Sequence, residues 1–155
     1  MQVTINRQKS NKLYTQGILV INHEPQTQTI ECTKVMLPAG LYSLRLVTIH
    51  AHRRDLIVFD FATGQTTGWR LSETARSHIG CRKEHSIAMG QELIPGALYK
   101  AQADLERLVK RLEKCQRRDE PILLVIDESH CTPSIACSHW QKPETDYGVG
   151  VTRNA

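Results

Sequence analysis

The chain has no apolar run approaching the roughly 18 residues that a membrane helix needs. Its first residues, Met1-Gln-Val-Thr-Ile-Asn-Arg7, also lack the charged segment and apolar stretch of a secretory signal. These absences give the expectation of a cytoplasmic product, with no membrane partner, that leaves the cell only through a lysis or export system. No block of Lys and Arg occurs, and aromatics make up 5% of the residues. A long nucleic acid is therefore disfavoured as a partner, because such binders combine phosphate-tracking cations with stacking rings. No C-x-x-C pair is present. The five cysteines (Cys32, Cys81, Cys115, Cys131 and Cys137) are odd in number, which argues against a disulfide framework in a chain of this size and compartment. No internal repeat is visible.

The 155 residues suffice for one core. The formal net charge is only +4, yet cations gather locally at Arg53-Arg54 and around Arg70, Arg76, Arg82 and Lys83. Such a local field suits a small anionic ligand better than a long polyanion. Two sets of residues have metal-binding character. Cys131, Cys137, His130 and His139 have spacings that match no common zinc pattern, and a polar tail is the plainer account. His50 and His52 share one face of a strand, with Asp55 or Asp60 as the third ligand a site would need; a polar strand end is the plainer account there too. No metal and no cofactor is expected, and association with a second copy is left open.

Val3 and Ile5 alternate with polar neighbours and predict a first strand. Gly17–Asn22 is a continuous apolar run and predicts a buried strand, with Thr27–Met36 returning after the turn residues that follow Asn22. Pro38-Ala39-Gly40 signals a tight turn. Leu41–Ile49 and Leu56–Phe61 are two more strands, and Ala62-Thr-Gly-Gln65 is a turn before Trp69. Residues 70–85 show no period and predict a long loop, a length usually associated with function or mobility. Ser86–Leu93 predicts another strand, ended by Pro95-Gly96.

The spacing of Leu98, Ala101, Leu105, Leu108, Leu112 and Cys115 predicts one amphipathic helix. Its other face carries Lys100, Arg107, Arg111 and Lys114, with Glu106–Lys110 and Glu113–Arg117 at supporting spacing. That basic face reads as solvated surface, and Cys115 as a packed thiol. Pro121–Asp127 predicts a last strand, apolar on both sides and hence central or covered. The predicted fold is mostly β (α+β): a mixed sheet or partly closed barrel with one helix packed on it. Residues 1–128 form a single domain in this reading. Residues 129–155 are a polar, aperiodic tail, flexible or docked through Trp140 and Tyr147.

The richest stretch chemically is Ser77–Gln91. It holds Ser77-His78-Ile79-Gly80-Cys81-Arg82 and then His85-Ser86-Ile87-Ala88-Met89-Gly90. Cys81 beside Arg82 and Lys83 would have a lowered pKa if exposed. Ser86 is a second nucleophile candidate, and His78 a candidate base. An incidental loop thiol, a strand-start serine bonded to backbone and a solvated histidine are the plainer accounts. On a strand His85 and Ser86 point to opposite faces, so His78 is the better partner for Ser86. Arg53, Arg70, Gly80, Arg82 and His85 are the candidate ligand contacts. Asp127-Glu128 could pair with this basic loop, although a solvated strand end is the simpler reading.

Several blocks in order resemble a family of uncharacterised small proteins of bacteria, mobile elements and phages. Gly17-Ile-Leu-Val-Ile-Asn-His23 resembles its opening hairpin. Leu37-Pro-Ala-Gly-Leu-Tyr42 is similar to its Ile-Pro-Ala-Gly-Thr-Tyr signature. His78-Ile-Gly80 resembles its His-Pro-Gly-Asn segment, and Ser86-Ile-Ala-Met-Gly90 its Cys-Ile-Leu-Val-Gly segment. The resemblance spans about residues 1–127. The family's histidine and Gly-Cys pair are in turn similar to the signature of L,D-transpeptidases, which cross-link peptidoglycan. There a cysteine attacks a peptide carbonyl, a histidine takes its proton and an acyl-enzyme forms.

The chain departs from that pattern. The family's cysteine falls on Ser86, whose hydroxyl is far harder to ionise than a thiol, and the asparagine after the family's glycine is Cys81. A rival alignment sets Ser77–Arg82 on the transpeptidase Ser-His-Gly-Cys-x-Arg motif with Cys81 as nucleophile. It needs Ile79 as an insertion and a deletion before Arg82, and it finds no histidine in Phe61–Gly68. Four functions follow: binding of a small anionic or cell-wall-derived ligand without turnover, L,D-transpeptidase-like acyl transfer, a structural or interaction module, and capture of a signalling nucleotide by a phage protein. The missing cysteine moves weight to the first, and whether the protein is an enzyme stays open.

Overall fold

Period-two alternation builds the wall of the molecule. The computed structural model describes residues 1–50, 53–72, 85–94, 97–99 and 101–132. In β1 (Gln2–Ser10) Val3, Ile5 and Arg7 share one face and are buried. In β2 (Tyr14–Ile21) the same parity buries Thr15, Gly17, Leu19 and Ile21. The turn to β3 (Glu24–Cys32) is two residues long, with Asn22 and His23 both at positive φ (48° and 74°). That is the backbone of a hairpin turn whose twist matches its strands. Then come β4 (Gly40–His50), β5 (Arg53–Asp60), β6 (Thr66–Ser72), β7 (Ser86–Ile94), β8 (Ala97–Tyr99), α1 (Ala101–Arg117) and β9 (Leu123–Asp127).

The strands join in the order β3-β2-β1-β9-β4-β5-β6-β7, and β7 pairs back onto β3 through Gln28↔Gly90, Thr29↔Met89 and Ile30↔Ala88. Eight strands thus close into a mixed barrel, with β8 added beside the far half of β7. Closure leaves these strands no free edge around the wall, and an open edge is what invites unwanted pairing. β1–β9 and β6–β7 are the parallel pairs. Gly17 has no substitute where β1, β2 and β3 crowd together. A Cβ there would lie 2.7 Å from Thr29 Oγ1 and 2.9 Å from the Asn6 carbonyl oxygen.

One core fills the barrel: Val3, Ile5, Leu19, Leu44, Leu56, Val58, Leu71, Ile87, Leu124 and Ile126 are all buried in it. Each such side chain contributes about 1.5–3 kcal/mol on burial. Helix α1 packs on this core at one end through Leu108, Leu112 and Cys115, with Leu105 partly buried. Polar contacts fix it there. Thr27 Oγ1 donates to Asp104 Oδ2 at 2.6 Å, and Gln116 Oε1 accepts the Leu46 N–H at 2.6 Å. The opposite end is closed by Leu37 and by Arg7, whose guanidinium bonds Glu31, Glu128 and the Leu37 carbonyl.

The fold class is the one the alternation predicted, a β-rich α+β architecture with one packed helix, and the barrel is closed. Particular boundaries differ. Residues 70–72 belong to β6 rather than to a loop; Leu71 continues the inward parity of Trp69. Leu98 lies in β8, because α1 starts only at Ala101 after a short antiparallel return onto β7. Glu113 pairs with Arg54 of β5 rather than with Arg117. Glu128 pairs with Arg7, so the end of β9 is not a merely solvated strand end. After β9 the chain turns back along β1: Ser10 N–H donates to Thr132 O at 2.9 Å, and Thr132 N–H to Gln8 O at 3.0 Å.

Candidate functional site

The candidate residues divide sharply. His78, Gly80, Cys81 and Arg82 lie outside the described residues, as do His52, Cys137 and His139. Arg53 opens β5, opposite His50 in the β4–β5 ladder. Arg70, His85 and Ser86 come together where β6 and β7 run side by side. Arg70 faces Ser86 in the parallel ladder, and its N–H donates to the His85 carbonyl at 3.1 Å. The antiparallel register with β3 sets the start of β7 at the barrel end where β3 finishes. Glu31 and Arg7 lie at that same end.

Strand parity splits this group between two faces. Ile87 and Met89 enter the core. Ser86 and Ala88 therefore lie on the outer face of the wall. There Ala88 packs with Ile30 and Tyr14. Ser86 is nevertheless only 4% exposed, and its Oγ has no hydrogen-bond partner. Its neighbours on that face are satisfied: Arg70 Nη1 donates to Asp55 Oδ2 at 3.2 Å, and Ser72 also has a partner. The Arg70 cation is thus offset by Asp55.

His85 takes the other side. Its ring stacks on Trp69, with centroids 5.0 Å apart and planes 18° from parallel. Trp69 is itself part of the core, whereas His85 is exposed. The adjacent histidine and serine thus do not meet, as their alternation predicted. Among the described residues no imidazole reaches Ser86 Oγ, so nothing described there raises its nucleophilicity. A serine hydroxyl without a base is a hydrogen-bond donor and acceptor, not an attacking group.

Sequence reasoning missed two neighbours. Trp69 forms the wall behind His85, and its inward position follows from its parity with Leu71. Asp55 neutralises Arg70; the sequence reading held it only as a metal ligand. The buried charges at the barrel end were missed as well. Arg7 Nε and Nη2 donate to the two Glu31 carboxylate oxygens at 3.0 and 2.7 Å, and Nη1 donates to Glu128 at 3.0 Å. Burial opposes the Arg7 charge, but the two carboxylates outweigh it and hold the guanidinium pKa above its ordinary value. Tyr42 OH donates to the Pro38 carbonyl at 2.6 Å, and burial pushes its phenol up to about 12.

Of the three described thiols, Cys32 at the end of β3 is partly exposed and the other two are buried. Cys131 is buried against Met36, and burial raises its pKa. Cys115 is buried on the helix stripe. Among the described residues no three His, Cys, Asp or Glu side chains gather as a metal would need. Among them, too, no helix is long and apolar enough to cross a membrane.

These features define a class by architecture: an eight-stranded closed mixed barrel with one helix at an end and an unsatisfied hydroxyl where two parallel strands meet. No family model matches the chain, and no curated protein and no solved structure is detectably similar to it.

Proposed function

We propose that this barrel is a ligand-binding domain, of the kind carried by phages and mobile elements. Its site lies at the start of β7 and takes a small anionic or cell-wall-derived molecule without turning it over. One observation carries the reading: the Ser86 hydroxyl, buried without a partner on the outer face of the wall, whereas Thr29 Oγ1, the other such described hydroxyl, faces the barrel interior. Leaving such a group unsatisfied costs about 1–3 kcal/mol, and native proteins satisfy nearly all of them. A bound molecule that supplies the missing partner removes that cost. The anionic character rests on the sequence, which joins Arg76, Arg82 and Lys83 closely to His85. Binding is favoured over turnover because no described base reaches Ser86.

Calorimetric titration of the full chain tests this, with a disaccharide-tetrapeptide from peptidoglycan and with nucleoside monophosphates as probes. Saturable binding of either, weakened at least severalfold in Ser86→Ala, is the expected result. Failure of both probes to bind at millimolar concentration overturns it. The acyl-transfer alternative has its own measurement, intact mass after incubation with a carbapenem. A covalent adduct that disappears in Ser86→Ala or in Cys81→Ala would replace the binding reading with the enzymatic one.

A further inference from the structure

We infer that the His85–Trp69 stack is a platform for a planar heteroaromatic ring, so that the ligand of this site is a nucleotide rather than a cell-wall fragment. The inference rests on the binding reading above and narrows its ligand class.

The geometry is that of a prepared surface. Trp69 is held in the core, only 8% exposed, and cannot swing away without opening the barrel end. The His85 imidazole lies on it nearly parallel, at a separation typical of stacked rings. His85 is at the same time exposed. One ring face is therefore covered by indole, and the exposed part offers a flat aromatic surface to solvent. Its backbone is pinned too, since the His85 carbonyl accepts the Arg70 N–H. A side chain already fixed in this way loses little conformational entropy when a second ring stacks on it.

Histidine is one of the side chains on which nucleobases stack, and such a base–aromatic stack tightens binding about tenfold or more. Saturated pyranose rings meet such a surface only through their C–H groups, without the overlap of two flat π systems. The next residue along the chain is Ser86, whose buried hydroxyl lacks a partner. That hydroxyl and the ring lie on opposite sides of the strand, so the ring alone is the surface offered to a base. A nucleotide is a small anionic molecule that carries a planar base for that ring.

The test is calorimetry of the full chain with adenosine 5′-monophosphate and with ribose 5-phosphate, which has the same phosphate and no aromatic base. Wild type is expected to bind the nucleotide about tenfold more tightly than the sugar phosphate. His85→Ala should erase that ratio, and His85→Phe, which keeps a stacking ring, should retain most of it. Circular dichroism confirms that each variant folds. Equal affinity for the two probes overturns the platform while leaving the binding reading standing. A ratio that survives in His85→Ala overturns it as well. Failure of the nucleotide to bind at millimolar concentration also overturns it, and the wider reading falls only if the disaccharide-tetrapeptide fails too.

Discussion

Arg7 and Glu31 meet inside the barrel through two parallel hydrogen bonds, with no solvent exposure of either side chain. The pair is a bidentate fork, the strongest geometry available to a guanidinium and a carboxylate. Arg7 also reaches Glu128 at the end of β9 and the Leu37 carbonyl that precedes β4. One side chain thereby ties together β1, β3, β9 and the segment closing the barrel.

Breaking one member of a buried pair strands the other. Glu31→Gln keeps the shape but leaves the Arg7 charge short of compensation. The expected loss is about 3–5 kcal/mol, the usual range for an uncompensated buried charge. Urea unfolding monitored by circular dichroism measures it. The double variant Arg7→Met with Glu31→Leu should recover part of the loss, because it removes both fully buried charges and leaves only the partly exposed Glu128 without its partner. If the single variant costs less than 1 kcal/mol, the pair does not hold the barrel end.

Tyr42 gives the molecule a pH dependence at its alkaline edge. Burial raises its phenol to about 12 from an ordinary 10. Between those values the unfolded chain releases the proton and the folded chain keeps it, so stability is intact below pH 10 and falls as the pH rises towards 12. The loss over that window is roughly 2–3 kcal/mol. Lysines titrate there as well, so the measurement is a comparison with Tyr42→Phe. The variant should start less stable by about 1 kcal/mol, for the lost bond to Pro38, and should show a shallower alkaline slope. Parallel slopes would remove Tyr42 as the cause.

Asp119 sits where a helix prefers glycine. The Glu120 N–H donates to the Cys115 carbonyl at 2.9 Å and the Asp119 N–H to that of Gln116 at 3.1 Å, with Asp119 at φ 57°. This is the left-handed cap that ends many helices. Asp119 also sets a carboxylate against the negative end of the helix dipole. Asp119→Gly is therefore expected to stabilise by about 1 kcal/mol and to raise the melting temperature by roughly 2–4 °C. Asp119→Val should destabilise. A loss of stability in the glycine variant would show that its added freedom in the unfolded state outweighs the relief.

Much of this was legible in the residues, and what was not has a common cause. Val3-x-Ile5, Leu41–Ile49, Leu56–Phe61 and the stripe from Leu105 to Cys115 each encode an element through local period. Barrel closure does not. The pairing of Ile30 with Ala88 joins segments far apart in sequence, and neither segment names its partner. The buried ion pair was readable only by trusting parity over polarity: Arg7 follows Val3 and Ile5 on one face, and Glu31 follows Thr27 and Thr29. Polarity normally argues such residues outward. At the candidate site, alternation separated His85 from Ser86 correctly, while the stack on Trp69 depends on a contact between strands that no local pattern carries.

Ser86 allows stability and binding to be set against each other. Its hydroxyl is buried without a partner, so Ser86→Ala removes an unsatisfied group and adds no cavity larger than one oxygen atom. The free protein should therefore become more stable by about 1 kcal/mol. A serine placed merely to bond the backbone would give the opposite sign, because its removal loses a bond. Under the binding reading the same variant should lose ligand affinity, since the hydroxyl is the group the ligand satisfies. Thermal unfolding with and without adenosine 5′-monophosphate separates these cases. The expected pattern is a higher midpoint for the variant alone and a smaller ligand-induced rise than in wild type. A lower midpoint with an unchanged rise would make Ser86 a structural residue and move the site elsewhere.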